Sequence, residues 1–317
     1  MTKIWLSLFA LVFSLLPPSS SAKAGETISI PFVAHAGDRF SVRIEKERED
    51  VKNGDVTNHI KVLLKYNGLI TRVSEDEMTV EWKQDEFKTT QIAGKQPNFE
   101  GDLSALLPAL QTKKITFNTD TLGNPRKFHN YDQIKDATLK MIGVDPKNKE
   151  AREHLETTLF ALDEETAART FLQEAALIGM GQSIELPGGE SQSGKETTPN
   201  PLGGVPIELE TTIGLKTNDD RQVQFEMIST FVPESVTRSV AKAIEDMSAR
   251  QNVPIEKLRK ITGEMSVQRK DVTVFSVSKT TGWTTQVDQI RTARVAAGHS
   301  AQDRTDTWHI SVRKIED

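Results

Sequence analysis

The sequence predicts an α+β protein built on a large, curved antiparallel β-sheet, half-barrel or sandwich-like, with helical insertions at about 131–179 and 233–262. Three observations predict this fold class. Apolar and polar residues alternate along most of 27–92, turn-forming residues separate the alternating segments, and the periodicity changes at two places to that of amphipathic helices.

The first strands are predicted to form a meander. Residues 38–50 and 57–73 alternate apolar with polar side chains, and Asn53-Gly54 between them favours a tight hairpin turn. After a polar break, every second position from 78 to 82 is again apolar, and a further strand is predicted at 114–119. Phe40, Val42 and Ile44 are expected to share one face of the first of these strands.

The first insertion is predicted to contain three short helices. Asn130 caps the first, which ends at Gly143, and the leucines of 155–162 mark the second. Asp163 caps the third, which ends at Gly179. In the second insertion, Pro233 and Pro254 each stand at the favoured first position of a helix.

The segment 187–206 is rich in Pro and Gly and has almost no large apolar side chain, so it is predicted to be a mobile loop. The strands expected after this loop are 207–217, 221–231, 265–279, 284–296 and 306–315. The sheet should therefore continue beyond the first insertion.

The first residues have the features of a cleavable secretory signal. Lys3 gives a positive start, 4–16 form an uncharged apolar stretch, and Ala22-Lys23-Ala24 supplies small residues before Gly25. The apolar stretch is shorter than the ~20 residues that a membrane-spanning helix needs. We therefore predict a signal peptide at 1–24 and a periplasmic or secreted product without a transmembrane anchor.

The remaining 25–317 is expected to be a single β-rich domain or two intimate halves, about 25–186 and 207–317, joined by the flexible loop. The sequence has no cysteine, which excludes disulfides, thiol nucleophiles and zinc–thiolate sites. Removing Lys3 and Lys23 from 40 basic residues leaves 38 against 45 acidic ones, a formal charge near −7. This balance argues against nucleic acid as a partner.

The strongest enzyme-like signal is the S-x-x-K pattern from Ser239 to Lys242, because a lysine one turn beyond a serine can act as its base. However, Ser239 falls in the second turn of an amphipathic helix, and the companion S-D-N and K-T-G motifs are absent. The same pattern recurs from Ser276 to Lys279 in a predicted strand. We therefore predict that the protein is not an enzyme and has no catalytic residue.

No metal site or cofactor is predicted either. The six histidines lack H-E-x-x-H or H-x-H spacing. The turn that begins at Asp120 resembles a calcium loop only at two positions, and Pro125 stands where such a loop needs glycine.

Large aromatic residues fall in or beside predicted strands and could line an apolar pocket between the sheet and the helices. Packing in an ordinary core is the other interpretation of the same residues. The candidate ligand-binding residues are Phe40, Trp82, Phe225, Phe275, Trp283 and Trp308.

The chain resembles a family of exported bacterial β-rich domains whose function is not established. The resemblance is carried by Gly37-Asp38-Arg39-Phe40, by Asp120-Thr121-Leu122-Gly123-Asn124 before a capped helix, and by Thr281-Gly282-Trp283 before the last strands. At the level of the fold alone, it is also similar to periplasmic lipoprotein-carrier domains, which hold acyl chains between sheet and helices.

We therefore predict a non-catalytic exported envelope protein that binds an apolar ligand or a lipoprotein, with lipid, lipoprotein or another envelope protein as partner. Two alternatives remain open at this point. One is a structural or protein-interaction module that uses 187–206 as a docking segment. The other is a serine hydrolase that uses Ser239 and Lys242.

Overall fold

The fold was analysed in a computed structural model of the chain. The residues it describes are 27–94, 114–141, 164–198, 205–251, 266–297 and 300–315. The predicted signal peptide, the helix at 155–162 and the helix at Pro254 lie outside these residues.

Eleven antiparallel strands of the described residues form one open sheet in the order β6-β5-β4-β3-β2-β13-β12-β11-β10-β9-β8. The predicted α+β class with a large antiparallel sheet is confirmed. The strands are β2 (Arg39–Lys52), β3 (Asp55–Val73), β4 (Glu77–Gly94), β5 (Lys114–Asp120), β6 (Pro125–Phe128), β8 (Gln192–Thr198), β9 (Ile207–Asn218), β10 (Gln222–Phe231), β11 (Ser266–Ser278), β12 (Thr284–Ala297) and β13 (Ser300–Ile315). Two short strands, β1 (Ile28–Ser29) and β7 (Glu185–Leu186), pair separately.

The predicted hairpin between β2 and β3 is confirmed. Asn53 and Gly54 both have positive φ, 52° and 92°, as the tight turn of a twisted hairpin requires. Asn53 also exchanges hydrogen bonds with Ala301 of β13. This contact helps explain why β13 begins at Ser300 rather than at 306 as predicted, because backbone pairing orders a polar segment that has no alternating pattern.

The described helices are α1 (Tyr131–Met141), α2 (Glu164–Phe171), α3 (Gln173–Gln182) and α4 (Pro233–Gln251). The prediction of one helix ending at Gly179 is wrong, since α2 and α3 are separated at Leu172 and α3 continues to Gln182. Gly179 instead lets α3 lie close to the β5–β6 turn, because a Cβ atom at this position would be 2.5 Å from the carbonyl carbon of Gly123. None of the described helices is long and apolar enough to cross a membrane.

The prediction of a mobile loop at 187–206 is wrong for its first part, 187–198. Pro187–Gly189 forms a short 3-10 turn, and β8 follows and pairs with β9 from Gln192 opposite Ile213 to Thr198 opposite Ile207. The side chains of β8 are polar, as suits an edge strand. The order of this segment therefore comes from its backbone hydrogen bonds and not from buried apolar side chains.

One face of the sheet, the inner face, carries the core and is packed against α2 and α3. An apolar row crosses six adjacent strands in register on this face, and its members are Leu64, Ile44, Ile310, Val287, Phe275 and Phe225. Four residues further along β2, a charged row crosses four of the same strands, and its members are Arg48, Asp306, Arg291 and Asp271. The inner face thus changes from apolar to charged along the strand direction.

Helix α3 is fixed closely on the apolar part of the inner face. A Cβ atom at Gly181 would lie 2.6 Å from Thr284 Oγ1 and 2.9 Å from the ring of Phe275. The hydroxyl of Thr284 donates a hydrogen bond of 2.8 Å to the carbonyl oxygen of Ile178. The glycine therefore lets the helix backbone approach β11 and β12 more closely than any side chain would.

Candidate functional site

The six aromatic residues predicted to bind a ligand are all buried. Five lie on strands of the large sheet and belong to its core, and Trp283 lies in the turn before β12. The structure divides them into separate groups. Phe40 and Trp283 are in contact, with ring centroids 5.3 Å apart, and Phe225 lies directly opposite Phe275.

The other two tryptophans have different neighbours. Trp82 packs against Tyr66 and Phe117, at centroid distances of 5.1 and 5.5 Å. Trp308 lies between two cations, with the guanidinium of Arg291 at 5.2 Å from its ring and the amine of Lys46 at 6.0 Å. Such cation–π contacts hold the Trp308 ring at the boundary between the apolar and charged rows.

The three tryptophans share an unusual feature. The indole N–H groups of Trp82, Trp283 and Trp308 are all buried and have no hydrogen-bond partner among the described residues. Leaving one such donor unpaired costs about 1–3 kcal/mol, so the great majority of buried donors in native proteins are paired. The sequence predicted these rings as ligand-binding candidates, but only the folded structure shows that their N–H groups are unpaired.

Sequence reasoning missed Gln84. It follows Met78, Val80 and Trp82 in the same two-residue alternation and is only 5% exposed, and both polar atoms of its amide lack a partner in the described structure. A bulge opposite Lys65 and Tyr66 makes Asp85 an extra residue, so that Gln84 and Phe87 both face inward. The signal in the sequence was a polar residue at a position where the alternation predicts a buried apolar side chain.

Gln84 lies opposite Tyr66 on β3. Burial raises the pKa of the Tyr66 hydroxyl, and the nearby carboxylate of Glu174 raises it further. Glu174 stands in the first turn of α3 and forms an ion pair with Lys46 of β2. This ion pair connects the start of α3 to β2, and its carboxylate lies close enough to act on the Tyr66 hydroxyl.

The charged row is a set of arginine–carboxylate pairs. Asp306 accepts hydrogen bonds from Arg48 at 2.7 Å and Arg304 at 2.7 Å. Asp271 accepts hydrogen bonds from two further arginines, Arg269 at 2.6 Å and Arg291 at 2.9 Å. Burial alone would raise the pKa of both carboxyls, but the arginines outweigh it and hold each pKa below its usual value. These paired groups form a structural network rather than a free anion site.

The serine of the S-x-x-K pattern is fully buried. Its hydroxyl donates a hydrogen bond to the carbonyl oxygen of Val205. The amine of Lys242 is about half exposed and lies 3.7 Å from a carboxylate oxygen of Glu245. A nucleophile must reach its substrate, so the burial of Ser239 disfavours the hydrolase alternative.

The described histidines each lie close to a polar neighbour rather than to one another. The contacting atoms are 2.6 Å apart in His59 with Glu47 and in His129 with Asn118, and 2.7 Å apart in His309 with Asp288. In the described ranges, no group of three or more His, Asp and Glu side chains could hold a metal ion. His154 and His299 lie outside those ranges.

An open groove of ≈ 280 Å³ lies beside the N-terminal segment 27–31 and is also lined by Asn218, Val223 and Lys279. None of the six aromatic residues lines it. Its lining is mostly polar, so it does not have the character of the predicted apolar pocket.

Comparison with known proteins assigns the chain to no family. No family model and no curated protein matches the chain, so the resemblance to an exported bacterial family stays a prediction. Among solved structures, one of lipid–protein interactions in lipovitellin is similar at 9% identity with a TM-score of 0.47. The match covers 89% of this chain and 26% of the lipovitellin chain, so this chain spans about a quarter of it.

An outer membrane channel from Pseudomonas putida F1 is a more distant match. It has 6% identity and a TM-score of 0.18, and the match covers 89% of this chain and 97% of the channel.

Proposed function

We propose that this chain is a non-catalytic protein of the cell envelope or the secreted space that binds an apolar ligand against the inner face of its sheet. One observation carries the proposal: Trp82, Trp283 and Trp308 bury their rings there but leave their indole donors unpaired. The great majority of buried donors in native cores are paired, and a bound ligand with acceptor atoms would pair these three. The ligand is then a lipid, or the acyl part of a lipoprotein, that brings hydrogen-bond acceptors to an aromatic surface.

The surroundings of these rings suit an aliphatic ligand. Phe40 contacts Trp283, Tyr66 and Phe117 contact Trp82, and the apolar row continues the same surface across the central strands. Burial of aliphatic carbon contributes about 0.8 kcal/mol per CH₂ group, so an acyl chain gains affinity with length.

A second candidate, a protein-interaction module, is favoured by a different observation. Strand β8 pairs with β9 on one side, and in the described residues its other edge is not paired with a strand. An edge of this kind can accept a strand from a partner. The two candidates differ in the surface used, so they can be tested separately.

Native mass spectrometry of protein purified without denaturation tests the first candidate. We expect a bound species that adds the mass of a lipid and disappears when the protein is denatured. Titration of the ligand-free protein with dodecanoic acid should then change the tryptophan fluorescence, since the rings line the site. A mass equal to that of the polypeptide alone, together with unchanged fluorescence, would contradict ligand binding.

A further inference from the structure

We propose that Gln84 and Trp82, two positions apart on the core face of β4, bind the uncharged, hydroxyl-bearing end of an aliphatic ligand. This inference rests on the proposed function and adds the chemistry of the ligand's polar end. Alcohols and protonated carboxylic acids share that chemistry. The inference starts from the unpaired amide of Gln84, which is 95% buried within the core face of β4.

The unpaired groups define what the ligand must offer. The amide of Gln84 presents both a donor, Nε2, and an acceptor, Oε1, and the indole of Trp82 presents a donor. A single O–H group matches them, because its oxygen accepts two hydrogen bonds while its hydrogen is donated. An ester can only accept, and it would leave Gln84 Oε1 unpaired.

The spacing allows both residues to bind one oxygen. Gln84 and Trp82 are two positions apart on one strand and on one face, so their Cα atoms are roughly 7 Å apart. Both side chains are long enough to converge over that distance. The bulge turns Phe87 to the same face, where it lies opposite Leu64. These two side chains supply apolar surface for the first carbons of the ligand.

The electrostatics of the site favour a neutral group. Glu174, whose carboxylate acts on Tyr66 opposite Gln84, is paired with Lys46, so this ion pair offers no free cation for an anionic end. The Glu174 carboxylate and burial together disfavour the anionic form of the neighbouring Tyr66 hydroxyl. The same environment disfavours a charged carboxylate at Gln84 and accepts a protonated one.

The test compares four twelve-carbon probes, each displacing 1-aminoanthracene from the ligand-free protein. The probes are 1-dodecanol, dodecanoic acid, methyl dodecanoate and dodecane. We expect 1-dodecanol to bind about tenfold more tightly than dodecane or the methyl ester, the ratio that one or two net hydrogen bonds supply. Dodecanoic acid distinguishes the two sources of the hydroxyl, since binding that tightens from neutral to mildly acidic pH shows that the site also accepts a protonated carboxyl group.

The variant Gln84→Leu keeps a similar volume and removes the amide, so it should bind 1-dodecanol and methyl dodecanoate alike, because the remaining donor of Trp82 can bond to an oxygen of either probe. Gln286→Leu, on the opposite face of the sheet, should keep the preference for 1-dodecanol. Equal binding of 1-dodecanol and dodecane to the unmodified protein would overturn this inference and leave apolar binding intact. If no probe displaces 1-aminoanthracene, the proposed function fails as well.

Discussion

At the scale of single residues, Asp271 shows how the charged row contributes to stability. Its pKa is lowered in the folded protein because two arginine hydrogen bonds outweigh the effect of burial. A carboxyl with a lowered folded pKa stabilises the protein above its unfolded pKa, and this contribution is lost as the pH falls through the folded value. We therefore expect the free energy of unfolding to fall as the pH is lowered below about 4.

The variant Asp271→Asn leaves Arg269 and Arg291 without their carboxylate, and loss of one member of such a buried set costs about 3 kcal/mol at neutral pH. Urea unfolding at several pH values should show a lower stability at pH 7 and a weaker pH dependence below 4. Asp303→Asn is the control, because Asp303 is 43% exposed and pairs with Arg294 at 3.5 Å. Equal pH profiles for Asp271→Asn and the unmodified protein would contradict this account.

The candidate aromatic residues and Gly179 show what the sequence could and could not predict at this scale. The aromatic rings were predicted from their positions in alternating segments, but their grouping depends on the register between strands, which places Phe225 opposite Phe275. Gly179 was predicted to end a helix, and its actual role depends on a turn more than fifty positions earlier in the chain, at Gly123. Contacts between distant segments leave no local pattern, so such roles are accessible only in the folded structure.

At the scale of elements, the strands predicted correctly are those with apolar residues on one side. The hairpin of β2 and β3 and the strands β9 and β10 have this pattern, and their predicted bounds are close to those observed. Strand β8 and the start of β13 lack this pattern. Each is polar and is ordered by pairing with a neighbouring strand. An alternating pattern predicts which side chains are buried, but it does not predict which backbone groups form hydrogen bonds.

Deletion of 192–198 tests whether β8 is an integral part of the sheet. We expect lower thermal stability and more aggregation, because the deletion uncovers the backbone groups of β9, whose inner face includes Ile213. Thermal unfolding with light scattering measures both effects. As a control, alanine at Ser193, Lys195 and Thr197 removes exposed side chains but keeps the backbone, and it should leave both quantities unchanged. Unaltered stability after the deletion would indicate a loop, as the sequence first suggested.

At the scale of the whole molecule, the sequence left open one domain or two intimate halves. Strand β13 from the C-terminal half pairs with β2 from the N-terminal half along the full length of β2, from Lys52 opposite Gln302 to Arg39 opposite Ile315. The junction lies inside the sheet and includes the buried pair of Ile44 and Ile310. We therefore propose that the halves fold as one unit, since separation would expose both core surfaces and unpair both strands.

Two variants that each keep a single tryptophan test this proposal. One keeps Trp82 in the N-terminal half and the other keeps Trp308 in the C-terminal half. In both variants, phenylalanine replaces all the other tryptophans. Urea unfolding followed by fluorescence should give the same midpoint for both, because cooperative unfolding breaks the whole sheet at once. In each background, Ile44→Ala should lower the stability by about 3 kcal/mol, since it opens a cavity at the junction. Ile290→Ala, at a residue that is 50% exposed on the other face, should have little effect. If Ile44→Ala shifts only the Trp82 transition, the halves unfold independently and the chain has two domains.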